Sequence, residues 1–247
     1  MRPPNLNVTL FQVYVTVAYM TDSSSALGQE RAAVAAASRR LGAEGLLIGT
    51  AGNVSMRLDD RVAITATGAV LAELTADQVT VVDLDGDVVA GTLAPTSELD
   101  LHLGVYHRYG AGAVVHTHAP MATALSCVLD ELPCVHYQLL TLGGSVRVAP
   151  YATFGTPALA ESVLTALEGR SAALMANHGA LTHAPTLDKA VEHALLLEWA
   201  CGVYQHAAAL GKPRVLDEHQ QLAVIEAALA RNYGTTHPVP PVQEGNR

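Results

Sequence analysis

Three stretches of this sequence carry side chains that could do chemistry together. They are a carboxylate in Pro95-Thr96-Ser97-Glu98, a histidine pair in Ala113-Val114-Val115-His116-Thr117-His118, and a further histidine in Asn177-His178-Gly179. After the apolar run 113–115 the local period is two, so His116 and His118 leave the same face of an extended segment. Two imidazoles on one face can grip one divalent ion. A third is available in His178, which follows the apolar run Ala172-Ala173-Leu174-Met175-Ala176. Three histidines with the fourth position open are the ligand set of a catalytic zinc rather than a structural one. Glu98 can serve as a base beside it. The competing reading is a surface pair or hydrogen-bonded core histidines, in a chain that holds eleven.

Around these groups lie loops rich in glycine and hydroxyls. Gly49-Thr50-Ala51-Gly52-Asn53-Val54-Ser55 reads either as a phosphate-holding loop, through backbone N–H groups and Asn53, or as an ordinary Gly/Asn turn. Thr65-Ala66-Thr67-Gly68 is a second small loop of the same character. Thr96 and Ser97 can cap a helix that starts beside Glu98, and that helix's free N–H groups can also receive an anion.

These groups need elements to position them. The spacing predicts a helix over 26–41 stopped by Gly42, a strand at 61–65, and a hairpin of 79–83 with 87–90 around Asp85-Gly86. A helix over 99–108 leads to the strand ending at His118. A short helix at 119–128, a loop at Glu131-Leu132-Pro133 and extended structure at Val135-His136-Tyr137 follow. Gly143-Gly144 breaks the chain before a strand at 145–149, and Thr156-Pro157 opens a helix ending near Gly169. Strand 172–176 reaches His178, and a long helix spans 185–210. On it Leu187, Val191, Leu195 and Trp199 share one face and read as core. Asp217 and Gln220 suggest a capping box for a last helix to Asn232. There is no repeat and no strict βαβ rhythm. The residues alone predict one α/β domain, a mixed sheet covered by helices.

The chain is 247 residues long and 50% hydrophobic, enough to fill a large core. A net charge of −9 with no basic run argues against a nucleic-acid partner. No stretch offers about 18 uninterrupted apolar residues, so no membrane span is expected. Cys127, Cys134 and Cys201 are odd in number and lack C-x-x-C spacing, which reads as reduced, partly buried thiols in a cytoplasmic protein. Residues 1–25 read as an N-terminal extension that is strand-like, disordered, or upstream of the true start. They lack the basic n-region and cleavage site of a signal peptide.

Taken in order, Gly52-Asn53-Val54-Ser55, Thr67-Gly68, Pro95-Thr96-Ser97-Glu98, His116-x-His118 and Asn177-His178-Gly179 resemble the class II aldolase/adducin family over residues 26–234. Val135-His136-Tyr137 and the run from Ala149 to Thr156 are similar to its sugar-phosphate aldolases. The resemblance implies a three-layer α/β/α fold with a central, mostly antiparallel sheet and a homotetramer with active sites between subunits; Pro238, Pro240 and Pro241 separately mark 235–247 as a flexible tail. It implies one Zn²⁺ per subunit on His116, His118 and His178, with Glu98 as the acid/base. Asn53, Thr67, Gly68, Thr96 and Ser97 would surround a substrate phosphate. Tyr137 would reach the aldehyde side from a neighbouring subunit, and Tyr233 would match the family's C-terminal tyrosine.

The implied reaction is reversible cleavage of a ketose 1-phosphate, L-fuculose 1-phosphate or a similar sugar, to dihydroxyacetone phosphate and a small aldehyde such as lactaldehyde. Other members of the family set the alternatives: a 5-deoxyribulose-1-phosphate aldolase, a sugar-phosphate epimerase, a methylthioribulose-1-phosphate dehydratase, or a non-catalytic adducin-like module. Glu98 argues against the epimerase, which carries Asp there, and the complete histidine set argues against the module. Thr96 in place of Ser, Ala230 in place of Phe and Asn177 before His178 depart from the sugar-phosphate aldolase pattern. They leave the metal ligands untouched and the sugar open.

Overall fold

The computed structural model describes residues 27–236, so the extension at 1–25 and the tail from 237 onward lie outside it. In chain order the first half holds helix α1 (27–43), strands β1 (Asn53–Leu58), β2 (Arg61–Thr65), β3 (Val79–Asp83) and β4 (Val88–Ala90), α2 (Leu99–Tyr109) and β5 (Ala113–Thr117). The second half holds α3 (Pro120–Ser126), β6 (Glu131–Leu132), β7 (Val146–Ala149), α4 (Pro157–Ala166), β8 (Ala172–Met175), β9 (Gly179–Ala184), α5 (Leu187–Leu210) and α6 (Glu218–Ala230).

Nine strands form one sheet in the order β4-β3-β2-β1-β5-β9-β8-β7-β6. Among them only β7 and β8 pair in parallel; the remaining pairs are antiparallel. Helices cover both faces. One core joins α2 and α4 to Val62, Ile64, Val114 and Leu181; the other joins α1, α3 and α5 to Val54, Val81, Val115 and Leu174. The neighbours Val114 and Val115 thus face opposite cores. A strand buried on both faces must be apolar throughout, which accounts for the unbroken run before His116. Each fully buried Val or Leu of this kind contributes roughly 1.5–3 kcal/mol.

Local chemistry sets the element ends. Gly110, at φ 61°, closes α2 in the left-handed conformation. Thr186 accepts from the Lys189 N–H, so α5 begins at Leu187, two residues later than the pattern suggests. The capping box of Asp217 and Gln220 opens α6 as expected.

Other local expectations change, beginning with α1, which runs through Gly42 to residue 43 instead of stopping there. Glu131-Leu132 is a short strand paired with β7, not a loop. Tyr137 opens a 3₁₀ turn (Tyr137–Leu142), held by the bond from the Gln138 N–H to the His136 ring, rather than continuing an extended segment. Strand β9 was not evident, because Gly-Ala-Leu-Thr-His-Ala has few β-branched residues; its pairing on both sides with β5 and β8 holds it extended. Trp199 is 46% exposed, although Leu187 and Val191 on the same stripe are buried. The described residues contain no helix long and apolar enough to cross a membrane.

Candidate active site

The site is assembled where the centre of the sheet meets the start of α2. Asn53 of β1 pairs directly with His116 of β5, so both side chains leave the sheet on the α2 face. His118 lies one residue beyond the end of β5. Chain returning from β8 to β9 turns through Asn177, whose φ of 56° is left-handed, and delivers His178 beside them. Asparagine tolerates this conformation better than most residues, which gives the Asn177 departure a backbone reason. Gly179 follows because no side chain fits: an added Cβ would lie 2.3 Å from the Thr117 carbonyl oxygen and 3.4 Å from the His116 ring.

The three rings converge, with centroids 4.8, 5.0 and 4.9 Å apart and one ligand nitrogen from each within 4.8 Å of the others. His116 Nδ1–H donates to the Ala180 carbonyl at 2.9 Å, so Nε2 is the ring nitrogen turned to the cluster. His118 Nε2 stands 3.0 Å from it. Two ring nitrogens at that distance need a proton or a cation between them. Burial, then the charges of His116 and His178, push His118 down to about 4. Burial first and His116 second also lower His178. Both are therefore neutral near pH 7, the form that ligates a metal.

Glu98 is the cap residue of α2 and is buried. Its Oε2 lies 3.2 Å from His116 Nε2, and its Oε1 lies 3.6 Å from His178 Nε2. Burial pushes its carboxyl up, but His116, the Asn53 amide, His178 and His102 together outweigh burial and hold it below the ordinary value. Glu98 is thus ionised at neutral pH. Oε1 is buried without a hydrogen-bond partner, a costly state for a carboxylate oxygen that a nearby cation or substrate proton would relieve. Three converging imidazoles and this orphaned oxygen fit a divalent ion of the zinc type.

Glu98, His118 and His178 open on a cleft of about 520 Å³ that is also lined by Asn53, Thr67, Gly68, Thr96 and Ser97. Thr67 N–H bonds to the Ala94 carbonyl and Thr96 N–H to the Thr65 carbonyl, which seats the two hydroxyl loops side by side. No side chain caps α2 by hydrogen bond, so the expected capping role of Ser97 does not occur and its exposed hydroxyl faces the cleft. Thr96 Oγ1 accepts from Asn53 Nδ2 at 3.1 Å and from Glu98 N–H at 3.3 Å. Its own hydroxyl hydrogen therefore remains to be donated. Neither Lys nor Arg is among the described residues lining the cleft.

Tyr137 and Tyr233 are not brought to this cleft. Their hydroxyls lie 3.3 Å from each other, on a separate apolar groove formed with α6. Behind the site runs a buried polar chain that the motifs did not flag. Asn53 Nδ2 donates to Glu98 Oε2 at 2.8 Å; Asn53 Oδ1 meets His102 Nε2 at 2.5 Å; His102 Nδ1 meets Ser55 Oγ at 2.6 Å; and Ser55 Oγ meets the Tyr106 hydroxyl at 2.5 Å. Its sequence signal is Glu98, His102 and Tyr106 at helical i, i+4, i+8 spacing, opposite Asn53 and Ser55 at strand i, i+2 spacing.

A family model described as the class II aldolase and adducin N-terminal domain matches residues 32–205. The chain is 37% identical over 202 residues to the 5-deoxy-D-ribulose 1-phosphate aldolase of Bacillus thuringiensis serovar kurstaki, covering 80% of this chain and 95% of that one. It is 39% identical over 183 residues to the L-fuculose phosphate aldolase of Escherichia coli K12, covering 73% and 85%. A solved L-fuculose 1-phosphate aldolase superposes with a TM-score of 0.77 at 35% identity, covering 82% of this chain and 96% of that one. That likeness extends to the three-layer arrangement with its mostly antiparallel sheet.

Proposed function

The chain belongs to the class II aldolase and adducin family, and from that premise we propose that it is a metal-dependent aldolase. Its reaction is the reversible cleavage of a ketose 1-phosphate, L-fuculose 1-phosphate or a similar sugar such as 5-deoxyribulose 1-phosphate. The products are dihydroxyacetone phosphate and a small aldehyde. One observation carries this reading: three converging histidines and an ionised, half-orphaned carboxylate stand together at a cleft that is also lined by the hydroxyls of Thr67, Thr96 and Ser97.

His116, His118 and His178 would hold the ion, Zn²⁺ on the chemistry of the donor set. When bound, it supplies Lewis-acid stabilisation of negative charge on substrate oxygens. Glu98 removes the C3 proton of dihydroxyacetone phosphate in the condensation direction and returns one in cleavage. Its orphaned Oε1 is the atom free to carry that proton. Thr67, Gly68, Thr96 and Ser97 receive the phosphate beside the N-terminus of α2, whose dipole favours an anion. Asn53 has both amide hydrogens committed to Glu98 and Thr96, so it meets the phosphate by exchanging the Thr96 hydroxyl for a phosphate oxygen.

Tyr137 and Tyr233 act on the aldehyde side of a neighbouring subunit's site in a homotetramer. Supporting this, α6 has no buried residue, and it exposes Leu222 together with Ile225 and Leu229, the last two in the groove of both tyrosines, an apolar face suited to cover by another copy. A coupled assay for dihydroxyacetone phosphate across a panel of ketose 1-phosphates and their free ketoses tests the reading. Phosphorylated sugars should be cleaved and free ketoses should lose most of kcat/KM. Equal turnover of the two would sink it.

A further inference from the structure

The hydrogens in the buried chain behind Glu98 can be assigned one after another. Asn53 turns its NH₂ toward Glu98 Oε2 and Thr96 Oγ1, so its carbonyl Oδ1 is what faces His102 Nε2. An acceptor there demands a donor, which puts the ring hydrogen on Nε2 and leaves Nδ1 bare. Nδ1 then accepts from the Ser55 hydroxyl, and Ser55 Oγ accepts from the Tyr106 hydroxyl. Every donor in the chain points toward the carboxylate. Burial keeps His102 neutral, down to about 3, so the ring presents a single N–H rather than two. The alternative state has the Asn53 amide flipped and the ring hydrogen on Nδ1. It would press a carbonyl oxygen against an ionised carboxylate oxygen now met at 2.8 Å.

We propose that His102 is a positioning residue for the base: its Nε2–H holds the Asn53 amide in the orientation that donates to Glu98 and Thr96, with Ser55 and Tyr106 fixing the tautomer from behind. The inference deepens the aldolase reading and takes from it the role of Glu98. His102 touches no substrate. It acts because an amide free to flip would alternate between steadying and repelling the carboxylate, and would release the Thr96 hydroxyl.

Two near-isosteres of histidine separate this role from core filling. Glutamine at 102 places an N–H donor near the position of Nε2, whereas asparagine reaches only the position of Nδ1 and leaves Asn53 Oδ1 without a donor. His102→Asn should lower kcat by on the order of 10–100-fold, as loss of a residue orienting an active-site group does, with metal content unchanged. His102→Gln should recover most of that loss. Exchange of the Asn53 side-chain amide hydrogens, read by NMR, should accelerate in the Asn variant alone. Equal activity in both variants, or equal loss in both, would overturn the proposal.

The wild-type protein supplies an arm that depends neither on variants folding nor on turnover. Long-range ¹⁵N correlation should place the His102 hydrogen on Nε2 with Nδ1 bare; a hydrogen on Nδ1 would overturn the assignment. If wild type cleaves no ketose 1-phosphate yet carries this tautomer, the aldolase reading fails and the positioning of Glu98 by His102 stands.

Discussion

A histidine that ligates a metal must present a bare nitrogen, and in this chain the backbone decides which one. His116 gives its Nδ1–H to the Ala180 carbonyl and so offers Nε2. His116→Ala should lose most bound metal and most activity, measured by metal analysis and turnover, while keeping the fold. Glu98→Gln keeps shape and hydrogen bonding but removes basicity; cleavage should fall by the ~10²–10⁴ typical of a lost general base, with metal retained. His102 gives a stability prediction with a definite sign. Its folded value of about 3 lies below the ordinary 6.5, so as pH drops below 6.5 the unfolded chain binds the proton first. Melting of the metal-free protein should therefore occur at progressively lower temperature from pH 6.5 toward 3, with no His102 contribution above 6.5. A melting temperature flat across that window would mean the ring is not held neutral.

At the scale of elements, the site depends on matched periods. A strand's period of two made the His116/His118 pairing legible in sequence, and the helix start beside Pro95-Thr96-Ser97 made Glu98 legible. The chain from Glu98 through His102 to Tyr106 escaped notice because it crosses elements, joining helical spacing to strand spacing on β1. The β8–β9 turn was also hidden. Nothing in Ala176-Asn177-His178-Gly179 announces a strand on its far side, and one of the two strands that β9 pairs with, β5, lies 60 or more residues earlier. Asn177→Gly should preserve both stability and metal binding. Asn177→Val should cost about 1–2 kcal/mol, the penalty for a side chain forced left-handed, and weaken metal binding through His178. Thermal melting and metal titration of the two variants check this.

At the scale of the whole molecule, the proposed homotetramer would account for side chains whose single-chain pattern misleads. Trp199 has core spacing yet is half exposed, packing edge-on against His136, which in turn lies on Tyr137. These aromatics and the bare apolar face of α6 form one region with Tyr137 and Tyr233, apart from the cleft. Sequence marked both tyrosines through family resemblance; no intrachain contact could have linked them to the metal. If Tyr137 serves a neighbour's site, Tyr137→Phe should slow cleavage while sparing proton exchange at C3 of dihydroxyacetone phosphate. Mixed oligomers of Glu98→Gln and Tyr137→Phe chains should then recover some cleavage, at interfaces that pair an intact Glu98 with an intact Tyr137. No recovery despite proven subunit exchange would refute a shared site.

One carboxylate and one ion acting together on the C3 hydrogen of dihydroxyacetone phosphate is the central claim, and NMR of that hydrogen in D₂O tests it without any aldehyde present. Wild-type protein should exchange the hydrogen for deuterium, lose the activity on chelation, and regain it with added Zn²⁺. Glu98→Gln should show none even when fully metal-loaded. Exchange that survives chelation, or that persists in metal-loaded Glu98→Gln, would contradict the assignment of metal and base.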